Sequence, residues 1–276
     1  MNKSQLAINS VSNLPHPVEA VLDAYAEVGF ANVEFCLKHI WDYIDAGHSI
    51  SDARTLLDER KLHCIGGFEI ALECFSAKRD RARNHRRILQ NAELLAALGG
   101  VSLVVGTDGP GQRKSQDPVD AIARVMAEVA DAIAHTEVNL LIEFNWSPIV
   151  KSFRTAADIA RKANRKNVGV LFDPAHYHCT PSKFEQLTKQ NVRTIKHVHV
   201  NDMRDIPGEF SDSNDDRLLP GKGCLDLVSL FKAIEEGGYN GYFSIEMFDE
   251  DLWKMPPRKA ARLMHASMEK LCMVCA

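Results

Sequence analysis

Eight short apolar runs recur along the chain, separated by longer stretches of helical periodicity. This alternation limits the architecture more than any other feature. The runs are QLAIN (5–9), NVEFC (32–36), CIGGFE (64–69), VSLVV (101–105), NLLIEF (139–144), VGVLFD (168–173), IKHVHV (195–200) and YFSIEM (242–247). Amphipathic segments run from Pro17 to Val28, Arg81 to Leu98, Val119 to His135 and Pro257 to Leu271. In the last of these, Ala260, Leu263, Met264, Met268 and Leu271 fall on one stripe. Ser51–Asp52 and Pro181–Ser182 read as helix starts, Gly29 and Gly237–Gly238 as stops. Repeated strand–helix units build a parallel sheet through right-handed crossovers. Eight of them in 276 residues predict the α/β class and a (β/α)8 TIM barrel, with residues 1–276 as one domain. An open doubly wound sheet would carry a glycine fingerprint after its first strand, and NSVSNLPHP has none. The one long connection, Asn201 to Cys224, is rich in Asp, Ser and Gly, and loops of that length are usually functional.

Barrel active sites form at the carboxyl ends of the strands. The fifth run delivers Glu143 there, the sixth Asp173, the seventh His199 and the eighth Glu246. Side-chain alternation puts these groups in phase. Leu141, Glu143 and Asn145 share a face, as do His197, His199 and Asn201, and Ser244 and Glu246. The intervening residues are apolar and suit contact with the helices. Three carboxylates and an imidazole converging on one buried point repel and are costly to desolvate unless a cation joins them. Such a set suits one divalent ion, Mn²⁺ first, with Mg²⁺, Co²⁺ or Zn²⁺ also fitting.

Thirty-three basic and 37 acidic side chains give a net charge of −4, which argues against a nucleic-acid partner. No apolar run approaches the ~18–20 residues of a membrane span. MNKSQLAINS lacks the apolar core of a signal peptide, so the expectation is a cytoplasmic protein with free thiols. Its seven cysteines are scattered, and the Cys272/Cys275 pair cannot by itself complete a four-ligand zinc site. The glycine-rich stretch from Gly106 lacks a Gly-Lys-Ser/Thr and reads as a connecting turn, although Arg113 or Lys114 could touch an anionic substrate. The basic run Lys78 to Arg87 reads as a solvated helix face. Glu34 and Glu69 end the second and third runs and are candidates for the pocket wall. Trp146 and Trp253 are candidates for its apolar side, His178 and His197 for outer partners of the metal ligands.

The motifs IEFN, FDPAH, HVHVND and SIEMF resemble the metal-binding motifs of the xylose-isomerase-like TIM-barrel superfamily. That group includes sugar isomerases and epimerases, hydroxypyruvate isomerase and endonuclease IV. The stretches Asp202 to Pro207 and Asp215 to Gly223, with IEMFDEDLWK, look most like the inosose (2-keto-myo-inositol) isomerases, whereas CIGGFEIALECF does not align with them. The resemblance implies that Glu143, Asp173, His199 and Glu246 bind one metal, that His176 and Arg217 hold substrate oxygens, and that the chain forms a homo-oligomer. The expected activity is a metal-dependent isomerase or epimerase of a small polyhydroxy ketone. It would work through an enediolate, with Glu143 and Glu246 as acid/base groups on opposite sides. A lyase on the same scaffold, dehydrating or decarboxylating a keto-sugar or keto-acid, shares that enolate. A sugar-binding protein that kept the metal is a further alternative. A nuclease like endonuclease IV would need histidines that the first four strands lack.

Overall fold

The computed structural model describes residues 1–111 and 117–275, so Arg113 and Lys114 lie outside the described residues. Each apolar run is a strand: β1 (Leu6–Asn9), β2 (Asn32–Cys36), β3 (His63–Phe68), β4 (Ser102–Val105), β5 (Asn139–Glu143), β6 (Val168–Phe172), β7 (Ile195–Val200) and β8 (Phe243–Ile245). They pair in parallel in sequence order, and β8 returns to β1, which closes the barrel.

Alternation sorts the strand residues as the period of two requires. Leu140, Ile142, Phe144, Val198, Val200, Phe243 and Ile245 join the helices in the outer core. Val104, Leu141 and Leu171 form a small inner cluster with Phe68 and Trp146, which fills the barrel axis beneath the site. The first helix, Val18–Val28, buries Val21, Leu22 and Tyr25 and stops at Gly29, whose φ of 103° is the left-handed conformation of a C-cap. It packs on the last helix, Pro257–Cys275, which joins the two ends of the chain. Among the described residues no helix is long and apolar enough to cross a membrane.

Two helix starts differ from the sequence expectation. The cap near Ser51–Asp52 is Ser49, with Asp52 as the reciprocal member of a capping box that begins helix Ile50–Glu59. No α-helix starts at Pro181–Ser182; the Ser182 hydroxyl accepts a hydrogen bond from the Phe153 amide, a single 3-10 turn follows at Phe184–Gln186, and Thr188 caps the short helix Lys189–Val192.

The long connection is tied at its base. Asp202–Met203 pairs antiparallel with Arg217–Leu218. The buried Asp202 carboxylate accepts four backbone amides, from Met203 and Leu225 on one oxygen and Gly221 and Gly223 on the other, at 2.9–3.0 Å. A β-carbon at Gly223 would sit 2.2 Å from the Met203 carbonyl, so only glycine lets the chain pass. The same reasoning explains Gly106. Its missing β-carbon admits the Trp146 carbonyl, which a side chain would meet at 1.9 Å. The glycine after β4 therefore serves a close backbone contact.

Candidate metal centre

Glu143, Asp173, His199 and Glu246 meet at the carboxyl end of the barrel. One donor atom from each lies within 4.8 Å of all the others, and all four side chains are buried. His199 Nδ1 stands 3.1 Å from Glu246 Oε2, 3.3 Å from Asp173 Oδ2 and 3.7 Å from Glu143 Oε1. Two of these candidate ligands owe their place to local chain chemistry. Asp173 ends β6 as an N-cap, its Oδ1 accepting from the amides of Ala175 and His176, while Asn201 Nδ2 braces both its oxygens. Glu246 lies one residue past β8, where Asn9 Nδ2 of β1 donates to Oε1 at 3.1 Å.

Arg217 enters from the long loop and is buried with them. Nη1 donates to Glu246 Oε2 at 2.7 Å and to the Glu246 carbonyl at 3.0 Å, and Nη2 reaches Asp173 Oδ2 at 3.1 Å. Its Nε is satisfied by the Ser213 carbonyl, and its plane lies over Phe248. His176 lies one turn beyond Asp173, with Nε2 3.4 Å from Glu143 Oε1 and Nδ1 3.1 Å from Asn145 Nδ2. Asn145 takes a positive φ of 73°, a conformation uncommon outside glycine, so that its amide meets both His176 and Ser213. Both residues expected to hold substrate oxygens thus sit beside the ligand cluster. They line a cavity of 330 Å³ with Glu143, Glu246, Phe68 and Trp146.

The electrostatics show where positive charge is missing. Burial pushes the Asp173 carboxyl up, but the Arg217 guanidinium and nearby histidines outweigh it and hold it well below the usual range. Burial lowers the His199 imidazole, yet Glu246 and Glu34 lift it well above its ordinary value. Glu143 is the exception. Burial raises its carboxyl, and His176 and His199 do not fully offset this. Its Oε1 is fully buried without a hydrogen-bond partner. An orphaned carboxylate oxygen among two further carboxylates and an imidazole nitrogen is what a bound divalent cation satisfies. The donor set therefore fits a metal.

The remaining sequence candidates separate. Glu34 faces inward, with both oxygens 3.1–3.2 Å from His199 Nε2. His197 Nε2 is 3.0 Å from the same carboxylate but lacks the alignment of a hydrogen bond. Glu69 turns outward to Arg87 and Asn91 and takes no part in the site. Trp146 lines the cavity, whereas Trp253 packs away from it and donates to the Val11 carbonyl. His178 holds the long loop through the Ile206 carbonyl. The basic run lies on an outer helix face, where Arg83 pairs with Asp80 and Arg87 pairs with Glu69 and stacks over Trp41. Asn9 and Asn145 were not singled out as site residues from sequence, because a neutral amide at a strand end carries no charge signal. Asn145 shares the face of Glu143, which is the available clue, whereas Asn9 ends β1, a strand with no candidate ligand.

Similarity to known proteins agrees with this geometry. The chain is 28% identical over 256 residues to an inosose isomerase of Bacillus velezensis, which covers 86% of this chain and 90% of that one. It is 21% identical over 253 residues to an inosose dehydratase of Clostridium botulinum, covering 83% and 81%. Among solved structures, the IOLI protein with a binding zinc atom superposes with a TM-score of 0.87 at 23% identity, over 97% of this chain and 98% of that one. The model of the xylose isomerase-like TIM barrel family matches residues 22–271. With a closed eight-stranded barrel and its candidate ligands on β5–β8, the chain belongs to the xylose isomerase-like TIM barrel family.

Proposed function

We propose that this protein is a divalent-metal-dependent isomerase or epimerase of a small polyhydroxy ketone, with an inosose as the first substrate to try. The observation that carries the reading is the convergence of Glu143, Asp173, His199 and Glu246, with Glu143 Oε1 left unpartnered. Those four residues would hold the ion, Mn²⁺ by preference for an oxygen-rich set, though the zinc of the IOLI structure keeps Zn²⁺ in play. A bound cation there supplies polarisation of a substrate carbonyl and stabilisation of the enediolate left when a neighbouring carbon loses its proton.

The chain's own groups do the rest. Glu143 would lend one oxygen to the ion and use the other to take the proton from carbon. Glu246 has both oxygens engaged, by Asn9 and by Arg217, so it becomes the opposing acid/base group when the guanidinium turns to substrate oxygens. His176 Nε2, beside Glu143, binds a substrate hydroxyl. Phe68, Trp146 and Phe248 form apolar walls that exclude water from the carbanion. A neutral sugar-like ligand suits this cavity, and no nucleic-acid or membrane partner is needed. The cytoplasm and a homo-oligomeric state complete the proposal.

Dehydration is the second reading, favoured by the inosose dehydratase relative, since loss of a β-hydroxyl begins from the same enolate. One experiment separates them. The Mn²⁺-supplemented protein is incubated with inososes and ketoses in deuterated water, and products are followed by mass and NMR. Isomerisation keeps the heavy-atom composition and brings solvent deuterium to the α-carbon, while dehydration removes water. Glu143→Gln should lower turnover by ~10²–10⁴-fold. Undiminished turnover in that variant would end its acid/base assignment.

A further inference from the structure

We propose that Glu34, on β2, is a positioning residue that fixes which nitrogen of His199 faces the metal. The inference rests on the metal reading above. It starts from a contact across the barrel, because β2 and β7 are not neighbours in the sheet. Both oxygens of Glu34 lie 3.1–3.2 Å from His199 Nε2, and the carboxylate is fully buried. The register of β2 against β3 shifts here because β3 carries the extra residue, Ile65, so β2 keeps its own alternation and Glu34 stays on the inward face.

An ionised carboxylate only accepts hydrogen bonds. Facing Nε2, it requires a proton there, and a neutral imidazole then carries its lone pair on Nδ1. That lone pair points at Glu246, Asp173 and Glu143, 3.1, 3.3 and 3.7 Å away. With a cation among those carboxylates the lone pair is free to ligate it; without one, Nδ1 can instead carry a second proton shared with Asp173 and Glu246. Removing Glu34 would leave the ring free to place its proton on Nδ1, which cannot then ligate. A carboxylate behind a ligating imidazole also raises the basicity of the nitrogen in front. His197 Nε2, 3.0 Å from the same Glu34 oxygen, flanks the carboxylate from the other side.

The rival for these atoms is a second ion held by Glu34, His197 and His199 together, since their donors also cluster. The test is a Zn²⁺ titration of wild type and Glu34→Gln against a competing chelator, with nitrogen NMR of isotopically labelled histidine. Wild type should bind one equivalent, and Glu34→Gln should bind it about 10–100-fold more weakly. The metal-free melting temperatures of the two report any purely structural damage. In wild type the His199 ring should carry a protected Nε2 proton, with and without metal. Equal Zn²⁺ affinity in the variant, a second equivalent in wild type, or a His199 ring lacking that proton would each overturn the proposal. Failure of wild type to bind any Zn²⁺ while the Nε2 proton is seen would overturn the metal reading instead and leave the Glu34–His199 pair standing. If Glu34→Gln does not fold, the wild-type NMR and stoichiometry decide alone.

Discussion

Strands β5–β8 each end in a group that reaches the ligand cluster. Of β1–β4, among the described residues, only β1 and β2 touch it, and each does so one bond removed: Asn9 donates to Glu246, and Glu34 faces His199. β3 contributes Gly66 and Gly67 at the matching level, and the Glu69 that follows them turns away. On the proposed reading, one half of the barrel presents donors, and two strands of the other half aim them. A strand can influence the chemistry without supplying a ligand, and the two roles should respond differently to substitution.

The sharpest break of this comparison is Asp173→Asn. It removes a ligand from the presenting half while keeping most of the cap on helix Pro174–His178. Metal affinity should fall by more than the ~100-fold upper range for outer-shell partners, and activity should vanish with it. Calorimetric titration and a turnover assay check both. A variant that still binds ion tightly would blur the line between the halves.

A smaller effect is expected in the aiming half at Asn9→Ala, which frees Glu246 Oε1 from its one side-chain donor. The ion should stay bound, and kcat should drop about tenfold, the size of ~1.4 kcal/mol in a barrier. A change confined to metal affinity would make Asn9 a support of the ligand role of Glu246 instead.

The smallest effect is at Glu69→Ala, which lies outside both roles. It should cost about 1–2 kcal/mol of stability through the lost Arg87 and Asn91 contacts and leave kcat unchanged. Burial raises the Glu69 carboxyl, but Arg87 and Asn91 outweigh it and the net direction is down. A carboxyl lowered in the fold stabilises above its unfolded pKa of about 4.3 and loses that contribution as pH falls through the folded value. Urea denaturation at neutral and acid pH should therefore show the deficit of Glu69→Ala shrinking in acid.

The contrast between Glu34 and Glu69 also marks what the sequence could say. Both follow apolar runs, and both read as wall candidates. In NVEFC the alternation was present: Val33 and Phe35 are apolar on one face, Asn32 and Glu34 polar on the other, as in β5, β7 and β8. That phase was enough to turn Glu34 inward. CIGGFE offers two glycines before Glu69 and no phase, and only the packing of helix Lys78–Leu98 with its Arg87 decides its direction. The eight strands and the convergence of the four candidate ligands are legible because periodicity and ionisable groups coincide there. Helix starts were less so, since the cap at Ser49 and the loop at Pro181–Ser182 depend on which backbone amides find partners.

Because Asp202 gathers both ends of the excursion between Asn201 and Cys224, Arg217 is aimed from a fixed base. Residues toward the loop's tip, such as Phe210 at 75% exposure, are free of that constraint. The fold thereby separates a portion that can drift among lineages from one that must stay put. Exchange at the rim can therefore alter what reaches the cavity without re-aiming the buried guanidinium.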